Sequence, residues 1–127
     1  MSQTIPRVTV KRASDAGFEG DGLRDDFVYR DLGIEQATGG KVGAHVIRVA
    51  RPMTEAHGRH RHGLEFQMVY VLKGHCRFWY EGDGEVALSA GDSVYQTPGI
   101  AHELTSCSDD CELLEITLPA EFTTEDA

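Results

Sequence analysis

The chain has 127 residues, 40% of them hydrophobic and 26% charged, and a formal net charge of −9. That length fits one domain around one closed core and leaves little room for a second module. So acidic a surface repels phosphate backbones and anionic lipid heads, which argues against nucleic acid and membrane as partners, and the longest unbroken apolar run, Met68 to Leu72, is far too short to cross a bilayer.

Residues 1–7 carry no apolar stretch that would act as a secretion signal, so a cytoplasmic location is expected. Residues 11–26 are rich in Gly, Asp and Arg without a sustained apolar period, and an irregular arm is expected over about 1–26. From there the pattern is of strands. Residues 42–49 and 66–72 are runs rich in β-branched residues, and Gly74 closes the second. Residues 76–80 hold three aromatics and end at Glu81-Gly82-Asp83-Gly84, a turn signal. Short strands follow at 86–88, 93–96, 101–105 and 111–118, separated by Gly91-Asp92, Pro98-Gly99 and Ser108-Asp109-Asp110. Such spacing predicts an all-β barrel or sandwich, a single domain over 1–127 with its core at about 42–118. Residues 120–127 read as a polar, acidic tail that frays.

The three cysteines, Cys76, Cys107 and Cys111, are an odd number without a Cys-x-x-Cys pair, which reads as reduced structural thiols rather than a disulfide framework.

The chemistry concentrates in the histidines. His57, His60 and His62 fall within six residues, and His60 and His62, two apart, share one face of a strand. Arg59 and Arg61 then point the other way. Gln67 lies at an odd offset from His62, which on an uninterrupted strand puts it on the opposite face, and Gly63 is placed to supply a bulge that brings it back. A further histidine, His102, follows the Pro98-Gly99 turn.

At these residues the sequence resembles the cupin superfamily. The first cupin motif, His-x-His, four residues, Glu, six residues, Gly, is matched by His60-Arg61-His62, Gln67 and Gly74; the second, Gly, five residues, Pro-x-Gly, two residues, His, by Gly91, Thr97-Pro98-Gly99 and His102. The resemblance spans about residues 54–106. It implies a cupin β-barrel, or double-stranded β-helix of jelly-roll type, in which His60, His62, Gln67 and His102 hold one divalent ion. Four positions depart from the pattern: Thr54 for Gly, Gln67 for Glu, Thr97 for Pro and Ser106 for Asn. Only Gln67 touches the metal.

Three imidazoles and a carboxamide leave the ion with its full double charge, a weaker hold but a stronger Lewis acid. Nitrogen and oxygen donors suit Fe, Mn, Ni or Zn without choosing between them. His60→Ala is expected to empty the site and Gln67→Glu to tighten it. Glu65 shares the face of Gln67 on a regular strand. It is a replacement ligand, an acceptor or general base beside the ion, or a solvated residue at the strand mouth. His57 is placed at the rim of the pocket, and His45 and His75 read as structural or surface residues.

Val69 and Val71 share the parity of Gln67 and are expected to line the pocket, with Met68, Tyr70 and Leu72 facing outward. On the next strand either Arg77 and Trp79, or Cys76, Phe78 and Tyr80, face in. An inward Arg77 would favour a carboxylate-bearing substrate. The outward apolar set needs covering, and a homodimer through sheet faces is expected. Two functions compete: a metal-dependent enzyme acting on a small polar or carboxylate-bearing molecule, dioxygenase-like or isomerase/lyase-like, and a non-catalytic binding or sensing module.

Overall fold

The structure is a computed structural model that describes residues 5–20 and 26–127; the arm expected over residues 1–4 and 21–25 lies outside the described residues. The described chain carries ten strands: β1 (Phe27–Asp31), β2 (Gly43–Val49), β3 (His60–Gly63), β4 (Phe66–Lys73), β5 (His75–Tyr80), β6 (Gly84–Ser89), β7 (Ser93–Tyr95), β8 (His102–Cys107), β9 (Glu112–Leu118) and β10 (Thr123–Asp126). A single helical turn, α1 (Ile34–Ala37), interrupts them.

The strands form two five-stranded antiparallel sheets, one in the order β1-β2-β9-β4-β7, the other β10-β3-β8-β5-β6. Successive motifs alternate between the sheets, as a jelly roll requires. Inward positions follow the period of two. Gln67, Val69 and Val71 on β4 are buried, as are Cys76, Phe78 and Tyr80 on β5 and His102 and Leu104 on β8. These apolar side chains, with Phe27, Leu88, Cys111 and Leu113, make one continuous core.

Along the β5–β8 ladder, Tyr80 opposes His102 at one end and Cys76 opposes Cys107 at the other. The histidines and the thiols therefore sit at opposite ends of the interior. All three cysteines are free. Gly74 makes the β4–β5 turn at φ +73°, and a Cβ there would stand 2.7 Å from the Asp110 carboxylate and 3.0 Å from the Cys111 Cα. Only glycine fits.

Two expectations are corrected here. The tail does not fray throughout: Thr123 to Asp126 pair with Gly63 to His60 as β10. The polar composition reflects an edge strand whose side chains are all exposed. Gly63 makes no bulge either. β3 ends at Gly63 in one sheet and β4 begins at Phe66 in the other, so His62 and Gln67 lie on facing sheets rather than on one strand. Parity along a continuous strand does not apply across that crossing.

Outside the core, Tyr70, Leu72 and Tyr95 are exposed on the outer face of the β4–β7 pair. Among the described residues no helix is long and apolar enough to cross a membrane.

Candidate metal centre

β3 presents His60 and His62 on the same inward face, and His102 opens β8 directly opposite His60. The ring centroids are 4.8 Å apart for His60–His62, 4.4 Å for His60–His102 and 5.0 Å for His62–His102. One nitrogen from each ring lies within 4.8 Å of the others, the one such group of metal-ligating side chains among the described residues.

The hydrogen bonds decide which nitrogen is offered. His60 Nδ1 is 2.9 Å from the Gly58 carbonyl and His102 Nδ1 is 3.0 Å from the Ile100 carbonyl. A carbonyl only accepts, so in each ring Nδ1 carries the hydrogen and Nε2 the lone pair. His62 Nδ1 is 2.9 Å from the Thr124 hydroxyl on β10, which is able to accept from that ring in the same way. Burial, with His102 and His60 close by, pushes the His62 imidazole down to about 4. Burial also lowers His102. Three imidazoles that each bring one nitrogen to a common point are what a divalent ion takes as ligands, and the set fits a metal.

Facing them on the other sheet is a hydrogen-bonded line across three neighbouring strands. His45 on β2 is the direct register partner of Glu115 on β9, and Gln67 on β4 lies diagonal to Glu115. His45 Nε2 donates to Glu115 Oε1 at 2.9 Å, and Gln67 Nε2 donates to Glu115 Oε2 at 3.0 Å. Burial on its own would raise the Glu115 carboxyl. The His45 hydrogen bond and charge, the Gln67 amide and nearby His62 outweigh it, and Glu115 lies below the ordinary range. Gln67 itself is 3% exposed, with its backbone carbonyl accepting from Gln96. Beside it the Tyr80 hydroxyl donates to Gln96 Oε1 at 2.6 Å.

Both arrays open into one cavity of about 850 Å³, lined by His60, His62, His102, Gln67, Glu115 and His45 among others. That volume accommodates a small organic molecule. Lys11, Glu19, Asp31 and Glu35 line its outer part.

Of the residues expected in the pocket, Val69 and His57 line the cavity. His57 stands apart from the histidine cluster: its Nε2 donates to Asp26 at 2.9 Å and its ring packs edge-on against Phe27. Three expected positions are elsewhere. Val71 is 0% exposed within the solid core, beyond the cavity. Arg77 points outward, its side chain 62% exposed and 3.9 Å from Glu85, because β5 turns Cys76, Phe78 and Tyr80 inward. Glu65 is exposed in the crossing before β4 and reaches neither the histidines nor the cavity; its backbone N–H donates to the Leu118 carbonyl.

Glu115 and His45 were missed. The signal was present: Glu115 is a charged residue at an inward position between Leu113 and Thr117, and His45 interrupts an apolar run. An acid among inward apolar residues needs a partner inside the fold.

Residues 48–117 match the family model for the cupin domain. The chain belongs to the cupin family. Solved structures agree on the fold. KdgF from Halomonas sp. superposes with a TM-score of 0.73 at 16% identity, covering 89% of this chain and 96% of that one. A predicted oxalate decarboxylase from Thermotoga maritima gives 0.70 at 24% identity, covering 87% and 99%. The polyketide cyclase RemF from Streptomyces resistomycificus gives 0.73 at 16% identity, covering 98% and 86%. No curated protein matches the sequence.

Proposed function

We propose that this cupin is a metal-dependent enzyme of the isomerase or lyase type, acting on a small polar molecule with an enolisable carbonyl. His60, His62, His102 and the Gln67 carboxamide would hold one divalent ion. When bound, that ion would polarise a substrate oxygen as a Lewis acid. The observation that carries the reading is the second array in the same cavity: a carboxylate hydrogen-bonded to an imidazole, Glu115 with His45, facing the three histidines. In such a pair the imidazole, oriented by the carboxylate, would take a proton from carbon and return it elsewhere, the step shared by isomerisation and β-elimination.

With Arg77 outside, no arginine among the described residues lines the cavity as a guanidinium fork for a carboxylate. An anionic oxygen of the substrate would be met by the ion or by Lys11. The structural neighbours include a predicted oxalate decarboxylase and a DMSP lyase, names consistent with a reaction of the lyase type. The free thiols suit a reducing cytoplasm. We further propose a homodimer through the outer face that leaves Tyr70, Leu72 and Tyr95 exposed.

The test is a panel of thiols, flavonols, unsaturated uronates and diketones, offered to metal-loaded protein while substrate loss and oxygen uptake are followed. The expected result is loss of a carbonyl substrate without oxygen uptake. His45→Gln should slow that reaction by roughly a hundredfold or more while keeping its metal. Oxygen consumption matched to substrate loss would contradict the reading, and so would saturable binding with no product.

A further inference from the structure

A divalent ion on three neutral imidazoles and a carboxamide carries two uncompensated positive charges in a half-buried site. Such a charge is costly to hold without an anion close by. The structure supplies one that is not itself at a ligand position. Glu115 has both carboxylate oxygens engaged, one by His45 at 2.9 Å and one by the Gln67 amide at 3.0 Å. Because a carboxylate only accepts, Gln67 must turn its NH₂ toward Glu115, which leaves its oxygen as the atom presented on the other side.

We propose that Glu115 is the anionic partner of the metal centre, a positioning residue that acts through Gln67 by fixing its oxygen toward the ion and offsetting the ion's charge from behind; this rests on the assignment of His60, His62, Gln67 and His102 as ligands. Glu115 lines the same cavity as His60, His62 and His102, so its charge faces the centre. The negative charge missing at position 67 is thus displaced one strand across the sheet rather than lost. His45 anchors the far oxygen and keeps the carboxylate aligned between the strands.

This arrangement changes what Gln67→Glu should do. Judged from position 67 alone, the substitution adds a charged ligand. In the fold it sets a second carboxylate against Glu115 at hydrogen-bond distance, and like charges so close oppose each other.

The experiment measures zinc affinity of metal-free protein by competition with a chromophoric chelator, with the melting transition of each metal-free variant as the folding control. Glu115→Gln, nearly the same shape without the charge, should weaken zinc by roughly ten- to a hundredfold. Gln67→Glu alone should bind zinc no tighter than the parent. The double variant Gln67→Glu/Glu115→Gln keeps one carboxylate in the pair with the hydrogen bond reversed, and should recover parental affinity or better. A Glu115→Gln protein within about twofold of the parent would overturn the proposal, as would a double variant no better than that single one. His60→Ala separates the two levels. If it also retained zinc, the ligand set itself would be wrong; if it lost zinc while Glu115→Gln kept it, only the role of Glu115 would fall.

Discussion

At the scale of single residues, the centre is prepared by what holds the far side of each ring. The Gly58 and Ile100 carbonyls and the Thr124 hydroxyl take the Nδ1 atoms of His60, His102 and His62. Burial beside His102 and His60 makes the His62 ring costly to protonate. His62 sits near 4 in the fold, against 6.5 for an ordinary histidine, so between those values the unfolded chain binds more protons than the folded one. The His62 contribution to stability must then fall as pH drops through that window and level off below it. Metal-free protein is expected to show a melting temperature that declines from about pH 6.5 to about pH 4. In a His62→Gln variant that decline should be shallower. A flat profile in the parent would mean that the ring is solvated rather than packed against His60 and His102.

At the scale of elements, β10 and the β4–β5 turn are the parts whose importance exceeds their size. β10 contributes Thr124, whose hydroxyl holds His62. Thr124→Val keeps the strand and removes the acceptor, and zinc affinity should fall by about tenfold with little change in fold stability. Gly74→Ala meets both a positive φ and the Asp110 and Cys111 contacts, and should cost about 1–3 kcal/mol in denaturant unfolding.

Most strands were legible from the chain, because turn residues such as Gly91-Asp92 and Pro98-Gly99 bound short β-branched runs. The His-x-His pair and His102 were legible because they recur at a fixed motif spacing. Three features were not. The crossing between Gly63 and Phe66 carries no local mark that the chain changes sheets, so parity misplaced Glu65. The orientation of β5 depends on which face meets the core, which periodicity leaves open for Arg77-Trp79 against Cys76-Phe78-Tyr80. The Glu115–His45 pair joins residues 70 positions apart through β2–β9 register, a non-local pairing that no short window contains.

At the scale of the molecule, two sheets each bring half of the proposed centre: imidazoles from β3 and β8, the amide and its carboxylate from β4 and β9. Sheet packing therefore sets the ligand geometry, and a core substitution between the sheets should disturb metal binding without touching a ligand. The outer face at Tyr70, Leu72 and Tyr95 should be the dimer surface. For the proposed homodimer, Tyr70→Asp combined with Leu72→Asp is expected to shift sedimentation from dimer to monomer, and a parent that sediments as a monomer or a variant that stays dimeric would contradict that interface. Four side chains from facing sheets are proposed to bind a single ion. A crystal grown with zinc and measured at the zinc absorption edge tests this most directly. The expected result is one anomalous peak within coordination distance of the Nε2 atoms of residues 60, 62 and 102 and of the Gln67 side-chain oxygen. A peak elsewhere, or one contacting the rings while the Gln67 oxygen points away, would contradict the account.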